Sequence, residues 1–157
     1  MDRVDRTLLD LLQRDGRISA QALSEAVSLS ARATLNRIRK LEEDWLIASY
    51  RAILSRDALD PHVSVFAEIA LKDQRRATVQ RFEKAMIACP EVIACYLLSG
   101  RYDYLVRVAC RDLSHYRDVT DAWLDNVGLG IDKIVTNTEL QTVKEFAGFP
   151  LAPSGRA

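Results

Sequence analysis

The sequence predicts an α+β chain in two parts: an N-terminal winged helix-turn-helix over residues 1–54 and a C-terminal ferredoxin-like βαββαβ domain over residues 63–150. Three observations predict it. Apolar residues recur at the helical period of 3.6 as far as Leu41. From Val63 the period changes to two, the period of a strand. Strand-like and helix-like stretches then follow in the order β-α-β-β-α-β, and Gly100 breaks the passage between the two successive strands.

In the first part, Asp2 is placed to cap a helix whose apolar face is Val4, Leu8, Leu11 and Leu12, and Asp15-Gly16-Arg17 ends it. Ser19 caps a second, short helix with Ala22, Leu23, Ala26 and Val27 inward. Ser28-Leu29 is a turn, and Ser30 caps a third helix running to about Glu43 with Thr34, Ile38 and Leu41 inward. Leu46-Ile47 and Tyr50–Leu54 alternate as a strand, which suggests a wing. Residues 55–62, with Pro61, read as a linker.

In the second part, Val63–Leu71 puts Val63, Val65, Ala67, Ile69 and Leu71 on one face and Phe66 and Ala70 on the other. Thr78–Ala88 is helical with Val79, Phe82 and Met86 inward, and Pro90 stops it. Val92–Leu98 and Tyr104–Cys110 are strands. Leu113–Val127 is helical with Tyr116, Val119, Trp123 and Val127 inward, and Ile131–Val143 is a long strand. Four strands with both helices on one face leave the other face bare. Its apolar residues predict sheet-on-sheet dimerisation. Residues 151–157 read as a flexible tail.

Composition limits the partners. The 157 residues carry 22 Lys and Arg against 22 Asp and Glu, so any nucleic-acid contact must come from a local patch. No apolar stretch approaches the roughly 20 residues that span a bilayer. No apolar leader follows Met1-Asp2-Arg3, so a cytoplasmic location and no membrane partner are expected. Cys89, Cys95 and Cys110 are odd in number and lack metal-ligand spacing, so reduced thiols in strand and core positions are expected. No metal, no cofactor and no catalytic residue is expected. His62 and His115 have no nucleophile placed beside them in sequence, and no phosphate-binding glycine loop is present.

Two stretches carry chemistry. Between Ser30 and Leu41 stand Arg32, Arg37, Arg39 and Lys40 with no acid. At 100° per residue, Arg32, Asn36, Arg39 and Lys40 fall opposite the apolar stripe. Arg and Asn near the start of such a helix suit base edges, and later Lys or Arg suit phosphates. The candidate DNA-contacting set is therefore Ser30, Arg32, Asn36, Arg37, Arg39 and Lys40. The other stretch is Ser99-Gly100-Arg101-Tyr102-Asp103-Tyr104, a loop that offers amides and a carboxylate at a sheet end. A plain hairpin turn capped by Asp103 is its simpler reading. Thr136 and Thr138, on the last strand, add a hint of polarity.

The residues Asp5 with Leu8–Leu12, Asp15-Gly16-Arg17-Ile18-Ser19, Leu23 to Leu29-Ser30, Arg37-Ile38-Arg39-Lys40-Leu41-Glu42, Ile47, Tyr50 and Ser99-Gly100-x-Tyr102-Asp103-Tyr104-Leu105 together resemble the Lrp/AsnC family of feast/famine regulators, over about residues 2–150. The resemblance implies a transcriptional regulator that binds double-stranded DNA at an imperfect palindromic operator. It implies a ligand-sensing second domain that forms dimers, which often assemble into octamers or open helices. It implies a small-molecule effector, usually an amino acid, bound between dimers near the loop from Gly100 to Asp103. Ser99 to Tyr104, with Thr136 and Thr138, are the candidate effector residues.

The sequence departs from the family pattern in three respects. Trp45 stands where Gly is usual after the third helix, Ser28 replaces the usual turn Gly, and Ala31 and Ala33 occupy a region that often holds Pro. A left-handed helix end is costly for Trp, so either Trp45 packs on the wing or Asp44 takes the turn. An enzymatic alternative is a sirohaem decarboxylase-like protein on the same two-domain plan, for which Arg101, Arg107 and His115 are available. A sequence-tolerant DNA-architectural protein is the third reading.

Overall fold

The computed structural model describes residues 1–54 and 62–151. The chain divides into two compact units, the first built from residues 1–54 together with the segment from Lys144, the second running up to Val143.

The first unit holds α1 (Arg3–Arg14), α2 (Ala20–Val27) and α3 (Ala31–Glu43). Each begins where the sequence supplies a cap. The Ser19 and Ser30 hydroxyls accept the amides of Ala22 and Ala33. Asp2 and Asp5 form a reciprocal capping box on α1, at 2.9 and 3.0 Å. Leu8, Leu23, Ile38 and Leu41 bury into one core, with Thr34 fully enclosed beside it.

Between α2 and α3 the chain turns at Ser28 in the left-handed conformation, φ 54°. After α3 the same device recurs at Trp45, φ 57°. There the Leu46 amide reaches back to the Leu41 carbonyl at 2.9 Å and the Trp45 amide to Glu42 at 3.0 Å, which makes a Schellman end. Trp45 itself takes the turn and stays 80% exposed, so neither packing on a wing nor a left-handed Asp44 occurs.

The expected wing strand does not form. Residues 46–54 carry no strand, because no other segment among the described residues offers them a ladder partner. The linker expected over residues 55–62 lies outside the described residues except for His62, and so does the tail beyond residue 151.

The second unit is a four-stranded antiparallel sheet of β1 (Val63–Leu71), β2 (Val92–Leu97), β3 (Tyr104–Cys110) and β4 (Ile131–Thr138), in the order β2-β3-β1-β4. Helices α4 (Arg76–Ala88) and α5 (Leu113–Asp125) complete the βαββαβ sequence. Cross-strand partners share a face, so Val65, Ala67 and Ile69 line up with Val108, Val106 and Tyr104. These residues form one core with Phe82 and Met86 of α4 and Tyr116 and Trp123 of α5.

Two element ends differ from expectation. β4 stops at Thr138 rather than Val143, because its partner β1 begins at Val63 and the last bond runs from the Glu139 amide to the Ser64 carbonyl. α5 stops at Asp125, and Val127 enters a short 3₁₀ turn where it is exposed rather than inward. The segment from Lys144 to Leu151 belongs to the first unit. There the Gln13 amide group donates to the Phe149 carbonyl at 2.8 Å and accepts the Phe149 N–H at 2.9 Å.

Candidate DNA-reading face and effector loop

Helix α3 carries the first candidate site. Its buried stripe is Thr34, Ile38 and Leu41. Arg32, Asn36, Arg39 and Lys40 are exposed on the remaining surface, with Ser30 at the cap. None of these four side chains is spent on a salt bridge among the described residues. Three hydrated cations and an amide therefore share one helix.

Arg37 behaves differently. Its Nη1 donates to Asp2 at 2.7 Å and to Asp5 at 2.8 Å, so its charge is committed to α1. The two carboxylates raise its already high pKa, and the Asp5 backbone amide together with Arg37 holds the Asp2 carboxyl below the ordinary carboxylate value.

Tyr50, half-exposed in the segment after α3, reaches back to that helix. Its hydroxyl donates to Glu42 at 2.9 Å, and burial together with that bond pushes its pKa up to about 12.

The loop between β2 and β3 carries the second candidate site. Ser99, Gly100 and Arg101 are exposed, and the Arg101 guanidinium lies 5.5 Å from the centre of the Tyr102 ring. Gly100 has φ 152°, and a methyl group built on it meets nothing within 4 Å. Its requirement for glycine within one chain is thus conformational, not spatial.

Asp103 is the hub of the loop. Its carboxylate accepts the Leu71 amide and the Gln74 side chain, both at 2.6 Å, and its own amide donates to the Ile69 carbonyl at 2.9 Å. Neither Leu71 nor Gln74 was singled out by the sequence. A carboxylate capping the far end of another strand leaves no local spacing to find.

Tyr104, counted among the effector residues, is a core residue. It is 1% exposed, its ring packs against Phe82 with centroids 4.6 Å apart and planes tilted by 42°, and its hydroxyl donates to Glu83 at 3.0 Å. Alternation explains this, since position 104 faces Ile69 across the ladder and so points to the helix layer.

Thr136 and Thr138 do not join the loop within one chain. Thr138 pairs with Val65, four residues along β1 from Ile69, or about 13 Å at the usual strand rise. Thr136 spends its hydroxyl on the Tyr116 hydroxyl at 3.0 Å.

The open sheet face shows a cluster that sequence reading missed. The Arg107 guanidinium lies 5.3 Å from the Phe66 ring centre, donates to Ser64 at 3.2 Å and pairs with Glu139 at 2.9 Å. His115 sits in the first turn of α5, in the helix layer, 3.4 Å from Glu91. Arg107 and His115 therefore occupy opposite sides of the sheet, and one chain does not bring these two side chains together.

Among the described residues no group of His, Cys, Asp and Glu is placed to hold a metal, and no helix is long and apolar enough to cross a membrane. The three free thiols have raised pKa values, with burial the largest cause, so they are held in the unreactive form.

Comparison with known proteins places both units. Residues 1–42 match the AsnC-type helix-turn-helix domain, and residues 64–149 match the Lrp/AsnC ligand binding domain. The transcriptional regulatory protein DoeX of Halomonas elongata is 35% identical over 92% of this chain and 90% of its own. The leucine-responsive regulatory protein of Escherichia coli K12 is 36% identical over 92% of this chain and 88% of its own. A transcriptional regulator of Neisseria meningitidis, solved as a complex with L-methionine, superposes with a TM-score of 0.88 at 26% identity, covering 97% of each chain. Each of these relatives is named as a regulator. With both of its domains matched and near full-length relatives above one-third identity, the chain belongs to the Lrp/AsnC family of DNA-binding transcriptional regulators with a ligand-binding domain.

Proposed function

We propose that the protein is a sequence-specific regulator in which the exposed surface of α3 reads DNA and the sheet unit binds an amino acid. The observation that carries the first half is the division of labour on α3. One stripe is buried, and Arg32, Asn36, Arg39 and Lys40 are left hydrated and unpaired by carboxylates. Arg32 and Asn36, toward the helix start, address base edges, and Arg39 and Lys40 address phosphates. A symmetric dimer would present two such helices, so the operator is an imperfect palindrome.

Support for an amino acid comes from the L-methionine complex of the Neisseria relative and the name of the leucine-responsive one. The loop from Ser99 to Asp103 has the chemistry for it. Exposed amides suit an α-carboxylate. Each Asp103 oxygen keeps a lone pair beyond the bond it already accepts, which suits an α-ammonium.

A thermal-shift screen of the amino acids tests the ligand. Saturation at about 100 times Kd raises stability by roughly 2.7 kcal/mol. One amino acid must both raise the melting temperature and change operator affinity. If no amino acid does either, the effector half of the proposal is wrong.

A further inference from the structure

We propose that Arg37 is a positioning residue for DNA reading: it latches α3 to the capped start of α1 and so fixes the angle at which Arg32 and Asn36 meet the groove. This rests on the reading of α3 given above.

The geometry points to a built latch rather than an opportunistic surface pair. Asp2 and Asp5 each carry two carboxylate oxygens, and each divides them in the same way. One oxygen accepts the other residue's backbone amide, Asp5 N–H to Asp2 Oδ1 and Asp2 N–H to Asp5 Oδ2. The remaining oxygen of each, Asp2 Oδ2 and Asp5 Oδ1, accepts from Arg37 Nη1. The capping box holds both carboxylates still before Arg37 arrives. Most exposed ion pairs are weak because two long side chains must be ordered to form them. Here one partner is already ordered by its own helix end. Asp5 is only 17% exposed in its side chain, which removes more of the competing water.

The latch is also in the right place. Arg37 follows Asn36 directly and lies about one and a half helical turns from Arg32. A roll of α3 about its axis would move the tips of Arg32 and Asn36 far more than its buried stripe. Base-edge hydrogen bonds tolerate little displacement. Phosphate contacts are less directional and tolerate more.

The experiment measures binding to operator and to bulk DNA across a salt series, with parent protein, Arg37→Met, Arg37→Lys and Asp5→Asn. A positioning role predicts that Arg37→Met lowers the operator-to-bulk affinity ratio at least several-fold and leaves the salt slope unchanged. Asp5→Asn must lower the same ratio, although removing a negative charge should by itself strengthen binding to DNA. Arg37→Lys must restore most of the ratio, because a single nitrogen makes both bonds and an ammonium can replace it. A direct phosphate contact gives the opposite pattern. Arg37→Met then flattens the salt slope by about one and weakens all sequences alike, and Asp5→Asn tightens binding. That pattern overturns the inference, as does an unchanged ratio in Arg37→Met. Should Arg37→Met fail to fold, Asp5→Asn and Arg37→Lys decide alone. A parent that prefers no operator over bulk DNA overturns the base-reading assignment itself, and the latch with it.

Discussion

Trp45 and Ser28 hold left-handed backbone conformations that favour glycine, at φ 57° and 54°. A side chain there costs roughly 1–2 kcal/mol. Glycine would relieve that strain but lose more entropy on folding, by about 0.5–1 kcal/mol. The net expectation for Trp45→Gly is a modest gain, roughly 0.5–1 kcal/mol, seen as a rise of a few degrees in melting temperature. A fall would mean that the exposed indole makes a stabilising contact in solution. Asp103 works in the other direction. Removing its carboxylate orphans the Leu71 amide, which lies in a buried residue, so Asp103→Ala should cost about 1–3 kcal/mol in urea denaturation. Asp103→Asn keeps one acceptor oxygen and should cost less. It is therefore the better variant for testing ligand binding.

At the scale of elements, the α1 cap couples stability to acid. The Asp2 carboxyl has a lowered pKa, chiefly from the Asp5 backbone amide and then from Arg37. A group whose folded pKa is depressed contributes stability above its unfolded value, near 3.8, and loses that contribution as pH falls through the folded one. The helical unit should therefore weaken as pH drops below about 4, and Asp2→Asn should flatten that part of its stability profile. An identical acid profile in Asp2→Asn would remove the cap from the account.

The same scale shows what was legible in the sequence. Ser19, Ser30 and Asp2 announced three helix starts because a cap is a local signal. Val63–Leu71 was legible from alternation, with the face of each residue, whereas Tyr104–Cys110 was legible as a strand but not by face, so Tyr104 was counted with the loop although it lies in the core. The end of β4 was not, because it depends on where β1 begins. The wing failed for a similar reason, since a strand needs a partner and periodicity names none. In the candidate sites, the exposure of Arg32 and Asn36 follows from projection around a helix. The engagement of Arg37 with α1, and of Asp103 with Leu71 and Gln74, is tertiary and leaves no spacing rule in the sequence.

The molecule as a whole has a sheet with one covered face and one open one. The open face includes Phe66, Tyr96, Leu105 and Val135, with Glu68 and the Arg107 cluster among them. Tyr96 is 58% exposed in a single chain, so this face is the surface expected to pair with a second copy. Tyr96→Glu combined with Leu105→Glu sets new charges beside Glu68 and should give a folded monomer in analytical ultracentrifugation. A variant that still sediments as the parent oligomer would place the interface elsewhere.

The outer surface of α3 is the part of the molecule proposed to read sequence. The most direct measurement is selection of bound sites from random DNA, followed by affinities for the selected site across a salt series. The parent should select an imperfect palindrome with half-site centres about 10 bp apart or a multiple of it. Arg32→Ala and Asn36→Ala should each lose about 1–3 kcal/mol on that site and relax preference at one or two positions. Lys40→Ala should weaken all sequences alike and flatten the salt slope by about one. Selection of the same site with the same affinity by an Arg32→Ala, Asn36→Ala, Lys40→Ala triple variant that remains folded would contradict the account.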